Sequence, residues 1–208
     1  MVTQIEEFFF QSNKKIQKKK ALILENGQII TYENLLKKKF SFSSLLEKEK
    51  NLVFLLGQNN LETITGYISF VDKGYAVVLI DYRVNEIFLE KLINIYKPAY
   101  VYCEQKKFKI DKIYQRKFYF KSYICLKRKR KINIKFDKNL MLLISTSGST
   151  GSPKFVRQSY LNINSNTKSI IKYLKISSKD VAITSLPFTY VYGLSVINTH
   201  LIAGATIV

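Results

Sequence analysis

Short continuous apolar runs alternate along this chain with longer stretches whose apolar residues recur at helical spacing. Leu52 to Leu56 is the first such run, short enough and apolar enough to be a buried strand. Gly57-Gln58-Asn59-Asn60 follows as a turn, and a helical pattern then extends through Phe70. The rhythm repeats with a helix over Asn85 to Tyr96, a stop at Lys97-Pro98, and a strand at Tyr100-Val101-Tyr102. Leu140 to Ile144 is a further apolar run, and Val181 to Thr184 reads as a strand entered through the turn Ser177-Ser178-Lys179-Asp180, to which no catalytic role is given. Strand, helix and strand in regular alternation predict an α/β fold with a largely parallel sheet and flanking helices.

Directly after Leu140 to Ile144 comes a hydroxyl- and glycine-rich loop, Ser145-Thr146-Ser147-Gly148-Ser149-Thr150-Gly151-Ser152-Pro153-Lys154. Gly148 and Gly151 allow the backbone to turn its N–H groups toward an anion. Ser147, Ser149 and Thr150 add neutral donors, and Lys154 adds a positive charge. The loop is not a Walker A sequence, which requires Gly-Lys-Ser/Thr, because here the lysine follows Pro153. A Ser/Gly-rich surface turn is the ordinary reading of such a stretch. The full string, set between an apolar strand and an apolar then helical pattern, makes it a candidate phosphate cradle.

The string Thr146 to Lys154 resembles the signature loop of the AMP-forming acyl-adenylate synthetases, a superfamily that includes acyl-CoA synthetases, adenylation domains of peptide synthetases and luciferases. The likeness continues along nearly the whole chain. Ile29 to Leu35 resembles the early Thr-Tyr-x-x-Leu element, where a strand gives way to a helix. Val71 to Asp81 resembles the element in which a helix ends at Lys-x-Gly and a strand ends in Pro-x-Asp, with Ile80 in the place of the proline. Ser185 to Leu194 resembles the Pro-x-x-His-x-x-Gly element, closed by Gly193, and Leu201 to Val208 resembles the Gly-Ala-x-x-Val strand that succeeds it.

The resemblance implies the N-terminal subdomains of the adenylate-forming ligase fold, truncated, with residues 1–208 as a partial AMP-binding domain and the C-terminal lysine-bearing domain absent. It implies attack of a carboxylate on the α-phosphate of ATP with Mg2+, followed by transfer of the acyl group to coenzyme A or to the pantetheine of a carrier protein. An acyl-CoA synthetase acting on a fatty or other acyl acid is the preferred subclass, and a ligase loading a carrier protein is close behind. Thr146, Ser147, Gly148, Ser149, Thr150 and Gly151 would cradle the β- and γ-phosphates, and Lys154 would steady the loop or the leaving pyrophosphate. Tyr190 stands where many members carry histidine, between the acyl pocket and the nucleotide; tyrosine keeps a stacking plane but does not serve as a base near neutral pH. An ordinary aromatic at a strand end is the alternative for that residue. Phe155 stands where glycine commonly follows the lysine.

Family members run to more than twice this length, and their magnesium ligand, ribose-binding aspartate, hinge and catalytic lysine find no counterpart among residues 1–208. No catalytic or metal residue is therefore assigned, the magnesium site is expected to be incomplete, and the chain alone is expected to be a poor enzyme. An inactive remnant, or one half of a split ligase whose partner supplies the rest, is the second hypothesis. It carries the expectation of an unpaired sheet edge after Val208.

Charge changes the picture least. Thirty-four Lys and Arg against fifteen Asp and Glu give +19, a cue for a polyanion partner. Residues 104–138 hold fourteen of those cations against Glu104, Asp111 and Asp137, with Tyr114, Phe118, Tyr119, Phe120 and Tyr123 interleaved. That pattern defines the third hypothesis, a basic RNA-binding module. A solvated face joining two family-like elements is preferred over it. Cys103 and Cys125 fit neither a zinc knuckle nor a redox pair, and His200, the only histidine, excludes a multi-histidine metal site. An acidic start and no run of membrane-spanning length give a cytoplasmic expectation.

Overall fold

The apolar runs become strands and the spaced patterns become helices. The computed structural model describes residues 8–9, 16–105, 112–132, 134–145 and 155–208. β1 (Lys20–Ile23) and β2 (Ile29–Thr31) form a hairpin, and the Thr31 hydroxyl accepts the Asn34 N–H to open α1 (Tyr32–Ser44). β3 (Leu52–Gly57) is buried along all six residues. α2 (Leu61–Asp72) starts on the Asn60 side chain, which accepts from Thr63, and β4 (Ala76–Asp81) follows. Asn85 caps α3 (Glu86–Tyr96) in the same way. That helix ends at Lys97 in the left-handed region, ahead of Pro98 and β5 (Tyr100–Glu104).

The basic stretch then adds a hairpin, β6 (Tyr114–Phe120) and β7 (Tyr123–Arg128), that the sequence patterns did not indicate. β8 (Leu140–Ser145) and β9 (Phe155–Ser159) form an antiparallel pair, and Ser159 caps α4 (Tyr160–Leu174). β10 (Val181–Ala182), α5 (Val191–Ala203) and β11 (Thr206–Ile207) complete the elements.

Seven strands make one sheet in the order β6-β7-β5-β3-β4-β8-β9, and its centre, β5-β3-β4-β8, is parallel. The pleat sends alternate residues of the central strands into two cores. Val53, Leu55, Val77 and Leu79 pack with α1 and α2, whereas Phe54, Leu56, Val78 and Ile80 pack with Leu89, Leu92 and Ile93 of α3. A second sheet runs β10-β11-β1-β2, with β11 parallel to both β10 and β1. The α/β expectation is met, with a largely parallel sheet and helices on both faces.

Two boundaries differ from expectation. The strand at 181–184 is only Val181–Ala182, and the segment expected as strand from Leu201 is the last turn of α5, capped by Gly204 at φ 73°. β11 itself lies inside its sheet, with the Val208 N–H donating to Ala182 O at 2.8 Å, and the edge strands of that sheet are β10 and β2. Length explains both: two bonded residues suffice for a strand held by neighbours, a register no local pattern encodes.

The hairpin also revises the basic stretch. Tyr114 and Tyr123 are buried, Phe118 and Phe120 pack on the core, and only Tyr119 of the five aromatics is exposed, against Arg116. Glu47 binds both Lys117 and Lys127, and the Lys127 bond holds its carboxyl below the usual range. Glu49 pairs with Lys131 at 2.6 Å. Aromatics turned inward offer nucleic-acid bases no stacking platform.

Lys39 of α1 reaches Asp72 of α2 at 2.8 Å, with both side chains almost fully buried, and the Phe8 N–H donates to the same carboxylate at 3.2 Å. Removing one partner takes the 2.8 Å ion pair from a buried charge. Lys39→Ala should therefore lower stability by about 3–5 kcal/mol in urea denaturation, and Lys39→Met with Asp72→Leu should recover most of that loss. A single substitution costing under about 1 kcal/mol would show that the pair is not a structural lock.

Candidate functional site

The parallel strands β3, β4 and β8 all end at one edge of the sheet, at Gly57, Asp81 and Ser145. α2 leaves β3 toward one face and α3 leaves β4 toward the other, so a crevice opens at that edge, the usual ligand position in an open α/β sheet. The segment between β10 and α5 crosses this edge and is tied down by one side chain. Asn59 Nδ2 donates to Thr184 O at 2.7 Å and to Leu186 O at 2.9 Å, and its Oδ1 accepts the Phe188 N–H at 2.8 Å. Phe188 is thereby buried edge-on against Tyr67.

Gly193 lies one turn into α5 and touches the backbone that precedes the helix. A Cβ there would stand 2.3 Å from Pro187 O and 2.9 Å from Leu186 O. Glycine at this position is a packing requirement. Tyr190 does not end a strand; it opens α5, its N–H donates to Pro187 O at 3.1 Å, and its ring is half exposed.

Tyr190, Val191 and Tyr192 line one side of a cavity of about 780 Å3. Ile144 and Ser145 at the end of β8 line another side, and the rest comes from β9, α4 and α5. The predicted phosphate-loop residues Thr146, Ser147, Gly148, Ser149, Thr150, Gly151 and Lys154 lie outside the described residues. Their two anchors are described: Ser145 and Phe155 pair across β8 and β9, which sets both ends of the loop beside this cavity. Phe155 packs its ring edge-on against Tyr96 on the α3 face. Tyr190 and the loop's entry strand, 45 residues apart in the chain, thus meet at one cavity.

Charge at this edge is already committed. Arg83 grips Asp81 with two hydrogen bonds of 2.9 and 2.8 Å. Magnesium, which the resemblance brings with ATP, finds no group of three or more His, Cys, Asp or Glu side chains among the described residues. His200 is half-buried in α5 with Nδ1 2.9 Å from Val196 O, a local helix contact. Cys103 and Cys125 are buried thiols on adjacent strands, and burial pushes the Cys125 thiol far up, so neither serves as a nucleophile or ligand here. No helix among the described residues is long and apolar enough to cross a membrane.

Sequence reading missed Asn59, treated there only as part of a turn, and it missed Thr167 and Asn198, both buried and both lining the cavity. A signal existed for Asn198: it interrupts the apolar spacing of Ile197 and Leu201 in the interior of a helix.

Known proteins share this fold. The model of the AMP-binding enzyme family matches residues 9–208. A D-alanine--D-alanyl carrier protein ligase of Staphylococcus aureus is 25% identical over 189 residues, which is 86% of this chain and 37% of that protein. The chain therefore spans little more than a third of the length of that curated relative. ATP-bound MatB from Rhodopseudomonas palustris superposes with a TM-score of 0.77 at 20% identity, covering 97% of this chain and 44% of that one. O-succinylbenzoate coenzyme A synthetase from Bacillus subtilis, in complex with AMP, gives 0.74 at 20% identity, over 96% and 54%. At these identities the structural likenesses speak for the fold.

Asn59→Ala should free the 184–188 segment, lower stability by about 1–2 kcal/mol and raise amide exchange there while β3 and β4 stay protected. Gly193→Ala should cost about 1–3 kcal/mol through the forced retreat of Pro187. Wild-type exchange at 184–188 in the Asn59 variant would remove the clamp from the account.

Proposed function

Because the chain belongs to the AMP-binding enzyme family, we propose that it forms the N-terminal, ATP-binding and acid-binding part of a ligase that converts a carboxylic acid to an acyl-adenylate. The observation that supports this is the meeting of Ser145, where the loop leaves β8, with Tyr190 at one cavity, at the C-terminal ends of parallel strands. A loop leaving β8 there brings N–H donors, hydroxyls and Lys154 to the triphosphate. An acid held near Tyr190 would lie within reach of the α-phosphate, and that proximity is the main catalytic contribution these residues can make.

Tyr190 acts as a wall and a stacking plane. Its side chain makes no capping bond to α5, and its ring is half exposed at the cavity. Gly193 holds the start of α5 against Pro187, which places Tyr190 at the mouth of the cavity. The acyl acceptor in this reading is a thiol, either of coenzyme A or of a carrier protein's pantetheine, and the carrier alternative draws on the D-alanine ligase likeness. Residues 1–208 are assigned ATP and acid binding; turnover is assigned to the longer assembly, because the resemblance places the metal ligand, the ribose aspartate and the catalytic lysine downstream. That assembly acts among soluble metabolites of the cytoplasm in this proposal.

Isothermal titration of the chain with ATP tests the assignment. Lys154→Ala should weaken ATP binding by about tenfold, the worth of one charge-assisted hydrogen bond, and Thr150→Ala by several-fold. Equal ATP affinity in wild type and both variants would refute the loop as the phosphate site.

A further inference from the structure

The cavity beside Tyr190 is polar at its inner end, and that polarity is uncharged. Asn198, only 2% exposed, lines it from α5. The buried Tyr67 hydroxyl donates to Asn198 Oδ1 at 3.1 Å, which fixes the amide: reversing it would leave the tyrosine proton without an acceptor. With Oδ1 held by Tyr67, the Asn198 NH2 group is left for the cavity and has no hydrogen-bond partner among the described residues. Thr167, also 2% exposed, lines the same cavity from α4, and its hydroxyl has no partner among the described residues. Ser195 differs, since its hydroxyl is spent on Val191 O at 2.8 Å.

We infer that Asn198 and Thr167 form a hydrogen-bonding subsite for an uncharged oxygen on the acid substrate, a hydroxyl or carbonyl a few carbons from the carboxylate. This rests on the acid-activating reading of the same cavity. No Lys, Arg, His, Asp or Glu lines the cavity among the described residues. Against this described lining a second carboxylate or an α-ammonium would meet neutral groups alone, so the subsite favours an uncharged oxygen. A plain alkyl chain would leave the amide and hydroxyl desolvated and unpaired, which disfavours fatty acids. The subsite therefore narrows the fatty or other acyl acid expected on sequence to a hydroxy or oxo acid.

The test titrates the whole chain with sodium butanoate and with sodium 3-hydroxybutanoate, at saturating AMP and without it, and measures AMP binding separately. The expected result is about tenfold tighter binding of the hydroxy acid. Thr167→Val, which preserves shape, should reduce that preference several-fold. Asn198→Asp, which keeps an acceptor for Tyr67 but removes the donors, should abolish it, with thermal melting confirming that both variants fold. AMP binding without any preference for the hydroxy acid overturns the subsite and leaves the adenylate reading standing. A preference that survives both substitutions, or binding of neither acid, also overturns the subsite. The preference without AMP binding overturns the adenylate reading alone.

Discussion

Burial of four parallel strands on both faces is the constraint on which the rest of the molecule depends. Parallel neighbours cannot be joined by tight turns, so β3 returns to β4 through α2 and β4 to β5 through α3, and strand ends of one polarity collect at one edge. Here α2 and α3 cover opposite faces, so the ends of β3 and β4 part and leave the crevice. The site lies where it does because the backbone cannot close that gap with secondary structure of its own.

What closes the gap is a polar clamp on an apolar plug. Asn59 satisfies two carbonyls and one N–H of a segment with few backbone partners, and Phe188 fills the space beneath it. Gly193 then allows α5 to start in contact with the same segment. The three devices are interdependent: without the clamp the plug has no fixed entry, and without the glycine the helix cannot approach. Tyr190 inherits its place from all three, which is why a half-exposed residue with no capping bond of its own is nonetheless well positioned.

Much of the scaffold was legible in the residues. β3, β4, β5 and β8 are continuous apolar runs, and Asn60, Asn85 and Lys97-Pro98 mark helix ends by known capping chemistry. The β6–β7 hairpin was hidden because fourteen cations over 104–138 mask the alternation that buries Tyr114, Tyr123 and Cys125. β10 and β11 were misjudged in length because they are short strands held by non-local partners, β10 by β11 and β11 also by β1, some 180 residues distant. For the candidate site, Gly193 announced itself by type and spacing, whereas Asn59, Thr167 and Asn198 did not. Asparagine and threonine occur too widely to signal by identity, and their roles appear only once burial is known.

The distribution of charge reinforces this division. A chain with a net charge of +19 would be expected to repel itself, yet its cations lie largely on the solvated hairpin and helix faces, and Glu47 and Glu49 bind three of those beside the hairpin. The cavity beside Tyr190 receives none of this charge from its described lining. A pocket with a neutral polar described lining inside a strongly basic molecule gains anion attraction over long range. In the proposed reading, anionic substrates are drawn toward the surface as a class, while hydrogen-bond geometry at Asn198 and Thr167 discriminates among acids that arrive with the same charge.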